Sequence, residues 1–382
     1  MPPQRSAPRI FLSAGEPSGD HHGAALARSL RQRWPGATLY GLGGPRMAAE
    51  GVELMAHVDD LAVMGFAEVI GRLPFFINLL QQARDSLRAS PPDLVIPIDY
   101  PGFNMRLARM AQNRHIPVLY YIAPQVWAWH RSRIHDLADV TDALALILPF
   151  EEKLFRDAGA NAHFVGHPLL DSPPPARPRA EFCESLGLDP ERPILALFPG
   201  SRRQEVERLV APFTAAADIV MRQMPTVQTV IAAGSGLSAD LYGSTKLPRT
   251  PDAWELLYHA RAAVVKSGTG TLQAAIADTP LVVGYVMNPL SYLIARHVVE
   301  VPHVALVNLV ADERLATELI QDAVTPEAVA AEILPLLQES PARTRALDGL
   351  ARVRARLHAP AGSPGAAARV TEMAAELMAG HR

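Results

Sequence analysis

A chain of 382 residues is too long for one ordinary hydrophobic core and suits two domains of common size. Apolar residues make up 49% and charged residues 20%, which excludes a disordered chain and supplies enough side chains for two cores. A formal net charge of −3 gives no general attraction to nucleic acid, and no nucleic-acid partner is expected. Cys183 is the single cysteine, so an intrachain disulfide and a cysteine-based metal cluster are both ruled out. No apolar run approaches the roughly 20 residues of a spanning helix, and the first residues lack the apolar core of a secretory signal. The expectation is a soluble or peripheral protein of the cytoplasm.

In chain order, residues 9–13 read as a strand. Ser13-Ala14-Gly15-Glu16-Pro17-Ser18-Gly19-Asp20 joins it to a helix over 21–33. Its small residues leave the backbone free to approach a ligand, with Glu16, Ser18 and Asp20 as polar contacts; alternatively Ser18 or Asp20 caps the helix. Residues 37–41 form a second strand. The stretch from Val63 to Leu80 is unusually apolar. Either it is a core helix, or Met64, Phe66, Val69, Leu73, Phe75 and Phe76 present an apolar face to a membrane or to acyl chains.

Residues 94–99 read as the next strand, ending on Asp99. A carboxylate at a strand's C-terminal end suits proton abstraction from a hydroxyl; the alternative is a turn-opening Asp before Pro101. A strand over 118–122 leads to Pro124-Gln125-Val126-Trp127-Ala128-Trp129-His130, where the tryptophans either cover a sugar face, line an acyl pocket or pack. His130, His135 and His167 have no companions at metal-ligand spacing. Strands over 143–148 and 163–165 complete a strand–helix alternation that implies a parallel sheet covered on both faces.

Asp171-Ser172-Pro173-Pro174-Pro175-Ala176-Arg177-Pro178 cannot sit inside a helix or a central strand, which places a domain boundary there. The alternation restarts with strands over 194–198, 227–232, 262–265 and 281–285. Phe198-Pro199-Gly200-Ser201-Arg202-Arg203-Gln204-Glu205 again follows a strand, and Arg202 is placed to pair with a diphosphate. The other reading is an exposed charge cluster at a helix start. Lys266-Ser267-Gly268-Thr269-Gly270-Thr271-Leu272-Gln273 is a strand-to-helix turn whose free N–H groups suit a phosphate, although every such domain has capped turns. It matches neither the Walker nor the dinucleotide glycine pattern. From about Pro326 the tail is helical, interrupted near 360–364. Two doubly wound α/β domains with a cleft between them are the expectation.

Taken in order, these segments resemble the lipid-A-disaccharide synthase family. The matching pieces run from Ala14-Gly15-Glu16 through Gly44-Pro45-Arg46-Met47, Leu61 to Gly65, Ile98-Asp99, Pro124 to Trp129, Pro149-Phe150-Glu151 and Gly166-His167. Pro199 to Val206, Ser267-Gly268-Thr269 and Val282 to Tyr285 complete the set. The resemblance implies a GT-B architecture with an acceptor domain over 1–170 and a UDP-sugar domain over 171–340. Helices over 341–382 would return to the first domain. It implies transfer from UDP-diacylglucosamine to diacylglucosamine 1-phosphate at the cytoplasmic face of the inner membrane, with a homodimer allowed.

By the same resemblance Asp99 is the general base, with Glu16 and Arg202 catalytic. Arg202, Glu205, Ser267, Gly268, Thr269, Gly270, Thr271 and Gln273 bind the donor, and Ser18, Asp20, Trp127 and Asn308 serve the acceptor. No Asp-x-Asp pair is present, so neither metal nor cofactor is expected. Gln273 stands where the family usually has Glu, and Arg314 where it usually has a carboxylate, which puts the substrate pair in question. The rival expectations are another UDP-sugar enzyme of this architecture and a non-catalytic glycolipid-binding homologue.

Overall fold

The computed structural model describes residues 7–61, 73–126, 132–171, 176–234, 236–243, 245–289, 292–293 and 301–381. The chain divides into two compact units, Met1–Asp171 with His358–Arg382, and Ser172–Leu357.

The first unit is built on a seven-stranded sheet. Its strands are β1 (Arg9–Ala14), β2 (Thr38–Gly43), β3 (Glu53–His57), β4 (Leu94–Ile98), β5 (Leu119–Tyr121), β6 (Ala143–Leu146) and β7 (Ala162–Phe164). The order is β3-β2-β1-β4-β5-β6-β7 and the pairing is parallel, so the sheet reverses its winding between β1 and β4. β4 is fully buried, as its unbroken apolar run requires of a strand covered on both faces. One face carries Leu26 and Leu30 of the helix Pro17–Arg33 together with Val370, Met373 and Met378 of the helix Ala366–Gly380. The other carries Leu79, Ala83 and Leu87 of the helix Leu73–Ala89, beside Phe103, Leu107 and Ala111 of the helix Pro101–Gln112.

The second unit repeats the plan with six strands in the order β10-β9-β8-β11-β12-β13. These are β8 (Ile194–Phe198), β9 (Gln228–Ala232), β10 (Arg249–Thr250), β11 (Ala262–Lys266), β12 (Leu281–Tyr285) and β13 (Glu318–Ile320). Its winding reverses between β8 and β11. The helices Arg203–Gln223 and Pro326–Leu337 bury Leu209, Phe213, Val329 and Ile333 on one face.

The tail departs from expectation. Helix Pro341–Leu357 belongs to the second unit, where the buried Arg343 guanidinium donates to the Arg261 and Leu336 carbonyls at 2.7 and 2.8 Å. The helix that returns to the first unit is Ala366–Gly380, whose start is held by Asp171 accepting from the N–H groups of Ala366 and Ala367. Among the described residues no helix is long and apolar enough to cross a membrane.

Candidate active site

In a doubly wound sheet the strand turns on either side of the winding reversal splay apart and leave a crevice at the C-terminal ends. The sequence-predicted turns fall on these reversals in both units. Residues 15–16 follow β1 and residues 99–100 follow β4; residues 199–202 follow β8 and residues 267–268 follow β11.

At the first reversal Asp99 and Tyr100 both lie in the left-handed region, with φ of 47° and 50°. Each costs about 1–2 kcal/mol in a residue with a Cβ, so the surroundings must over-determine the turn. They do so through the Asp99 carbonyl, which accepts from Asn104 Nδ2 at 2.7 Å and from the Tyr120 hydroxyl at 2.7 Å. Asn104 is wholly buried and also accepts from the Ser13 hydroxyl at 2.6 Å, which ties the β4 turn to β1. The Tyr100 ring lies over Gly15, where a Cβ would stand 2.2 Å from the ring. Burial pushes the Asp99 carboxyl up to about 6, with the Glu16 carboxylate adding to the rise and the Tyr100 N–H opposing it. His22 and His167 are held neutral by burial, at about 4 and about 3.

The other polar residues of the first turn divide. Glu16 is the extended N-cap residue of helix Pro17–Arg33, its side chain uncommitted to capping, and Ser18 is exposed on the first turn. Asp20 is not a substrate contact. It is buried, and its carboxylate accepts from the N–H groups of Gly44, Arg46 and Met47 at 2.8, 3.1 and 3.0 Å. The capping expected of Asp20 is thus done, but on the short helix Pro45–Ala49 rather than its own. Met64, Phe66, Val69 and Trp127 lie outside the described residues. Leu73 opens helix Leu73–Ala89, on which Phe75 is 37% and Ile77 57% exposed while Phe76 packs on the core.

At the second reversal Glu205 organises the loop before its own helix. Its Oε2 accepts from the N–H groups of Ser201 and Arg202 at 3.1 and 3.3 Å, and its Oε1 pairs with Lys266 Nζ at 2.8 Å. Gly200 is needed there: at φ 126° it leaves room for the folded-back carboxylate, which a Cβ would meet at 2.5 Å. Burial pushes the Glu205 carboxyl up, but the Lys266 ammonium and the two backbone donors outweigh it and hold the group below its ordinary value. Glu205 therefore shapes the loop and offers no free carboxylate to a donor. Arg202 stands exposed at the helix N-cap.

The Ser267–Thr271 turn offers backbone more than side chains. The Ser267 hydroxyl donates to the Val304 carbonyl at 2.8 Å, and the buried Thr271 hydroxyl donates to the Gly268 carbonyl at 2.8 Å. Both hydroxyls are thus donated within the fold, which leaves the backbone N–H groups as what the turn presents. Gly268, Thr269 and Gly270 remain at the helix start, with Thr269 exposed and Gln273 half-buried on the next turn. Asn308 is also structural. It is wholly buried, bonded in both directions to the Ala316 backbone and to Glu318, so it is withdrawn from any acceptor. Arg314 lines a groove of about 420 Å³ with Leu281 and Val282 at the N-terminal end of β12, away from the glycine turns. Lys266 and Asn104 also belong to these turns, and a lysine closing an otherwise apolar strand is a visible signal in the sequence. Among the described residues no three His, Cys, Asp or Glu side chains gather as a metal cage.

Two parallel doubly wound sheets with glycine turns at both reversals are the GT-B architecture. Among solved structures the fold is shared by the calicheamicin glycosyltransferase CalG4, at TM-score 0.62 and 19% identity over 97% of this chain and 98% of that one. A putative UDP-N-acetylglucosamine 2-epimerase from Listeria monocytogenes shares it at TM-score 0.64 and 13% identity, over 95% and 94%. A profile of the lipid-A-disaccharide synthetase family matches residues 10–361. The lipid-A-disaccharide synthase of Acidobacterium capsulatum is 42% identical over 98% of this chain and 97% of its own, and that of Syntrophus aciditrophicus 41% over 97% of each. The chain belongs to the lipid-A-disaccharide synthase family, as its ordered motifs imply. Its activity is glycosyl transfer that forms the lipid A disaccharide.

Proposed function

We propose that the enzyme transfers 2,3-diacylglucosamine from its UDP carrier to 2,3-diacylglucosamine 1-phosphate with inversion, giving the β-1,6 disaccharide 1-phosphate and UDP. The acceptor 6-hydroxyl gives its proton to Asp99 as its oxygen bonds to the anomeric carbon. The bond from that carbon to the diphosphate breaks, and its electron pair leaves with UDP. The observation that carries this reading is the placement of Asp99 at the end of β4, beside the winding reversal, where burial and Glu16 push its carboxyl up to about 6. A base poised just below neutral pH is ionised in the cell yet still basic enough to take a proton.

The departing diphosphate meets Arg202 and the N–H groups at the start of helix Thr269–Ile276, which stabilise its charge as it develops. In this reading those groups serve in place of a metal, and Gln273 offers its carbonyl oxygen to the ribose. Phe75 and Ile77, exposed on one amphipathic helix, seat the enzyme on the cytoplasmic face of the inner membrane, where both glycolipids are found.

The test is to mix the protein with both diacyl sugars and follow disaccharide and UDP together. Stoichiometric appearance of the two, undiminished by chelator and lost in Asp99→Asn, is the expected result. Full turnover in Asp99→Asn would remove the proposed base, and loss of turnover on chelation would remove the metal-free route.

A further inference from the structure

β11 runs Ala-Ala-Val-Val through the second core and then ends on a half-buried lysine. A long cationic side chain at that place is costly to order unless it is used. Lys266 touches both turns of the second reversal. Through Glu205 Oε1, 2.8 Å from its Nζ, it grips the carboxylate that holds the Ser201–Arg202 backbone. On its own side, Nζ stands 3.6 Å from where a Cβ on Gly268 would lie, and 5.7 Å from the centroid of the Tyr285 ring. An ammonium has three donors, and Glu205 Oε1 occupies one.

We infer that Lys266 is a second cationic contact for the donor's diphosphate, opposite Arg202, with Glu205 as the counter-ion that holds its ammonium over the Gly268 turn before the nucleotide arrives. This rests on the donor-site reading above and adds to it a side chain that the motifs alone do not single out. The division of labour follows from the chemistry of the two cations. Arg202 presents a planar fork on an exposed loop, whereas Lys266 is a compact point charge on a buried strand, fixed in place by its partner. The lysine thereby reads the presence of a phosphate oxygen over Gly268, and it is indifferent to the base and the ribose.

Calorimetric titration of the full chain with UDP, UMP and uridine tests this. Lys266→Met is expected to weaken UDP about tenfold while uridine changes less than twofold, and Lys266→Arg to keep UDP within about threefold of wild type. Glu205→Gln keeps an acceptor for the loop N–H groups but removes the counter-ion that holds the ammonium over Gly268, so UDP should weaken about threefold, less than in Lys266→Met, with uridine changed less than twofold. The UDP affinity of wild type should also fall more steeply with added salt than that of Lys266→Met. Equal UDP affinity in wild type and Lys266→Met overturns the inference, and so does an equal loss of UDP and uridine, which would mark damage to the fold. A wild-type protein that binds no UDP would instead overturn the donor-site reading, and the lysine's role with it.

Discussion

The two winding reversals solve different electrostatic problems with the same backbone plan. At the end of β4 the Asp99 carboxyl is raised by burial and by the like charge of Glu16, and elsewhere in the same unit burial keeps His22 and His167 neutral. Between β8 and β11 the charges are matched, Lys266 to Glu205, with Glu205 in turn satisfying two backbone donors. Desolvation without compensation suits the proposed base, and compensation in advance suits the proposed anion cradle. The strain differs in the same sense. The first edge holds Asp99, Tyr100 and Ile122 at positive φ, whereas the second uses Gly200 and Gly268, which take such angles at little cost.

The contrast can be broken from either side. The largest effect is expected at the unpaired edge: Asp99→Asn should lower kcat/KM by about a thousandfold, with UDP affinity unchanged within twofold by calorimetry. In the native enzyme kcat/KM should rise with pH up to about 6 and then level off, because the raised carboxyl is protonated, and useless as a base, below that value. At the paired edge Arg202→Ala should cost about a hundredfold in kcat/KM and weaken UDP as well, so the two variants separate base from cradle in one pair of assays. Next comes Gly15→Ala, whose methyl collides with the Tyr100 ring. Overpacking of that kind costs about 1–3 kcal/mol, read as a lower denaturant midpoint of the first unit. Phe75→Ser with Ile77→Ser should weaken binding to anionic liposomes about tenfold while leaving turnover of detergent-dispersed substrates intact.

The smallest effect is on acid stability. A histidine held neutral by folding takes up its proton more readily once unfolded. The two histidines should therefore cost the first unit stability as pH falls from about 6.5 toward 4, partly offset by Asp99, whose raised carboxyl takes up its proton more readily in the folded state. Hydrogen exchange resolved by unit, with and without His167→Asn, measures this directly.

What could be read from the chain follows burial. Central strands such as β4 and β8 are apolar on both faces and stand out as runs. β3, β10 and β13 did not, because each is an edge strand, short or only half-covered, with little apolar signal to display. Residue type and position relative to a strand end place Asp99, Arg202 and the glycine turns beside the winding reversals, where the structure has them. They were not enough to say which polar groups face a ligand. Asp20 is spent on a helix start 24 to 27 positions later, and Glu205 on Lys266 across a strand crossover. Asn308 is spent on a loop that turns back beside it. Such partners are decided by topology, and no local pattern encodes them. The tail shows the same limit: Pro341–Leu357 and Ala366–Gly380 are both apolar-striped, and it is the carbonyls that Arg343 and Arg356 meet that tie the first of them to the second unit.

The helix Ala366–Gly380 also sets an order of events during synthesis. It supplies Val370, Met373 and Met378 to the core that β1 and helix Pro17–Arg33 begin, burial worth roughly 5 kcal/mol, comparable with the whole margin of a typical domain. The unit the ribosome makes first therefore waits, with the strip of sheet beside helix Pro17–Arg33 uncovered, until the second unit has been translated. A nascent chain paused before residue 366 leaves that apolar strip exposed to water.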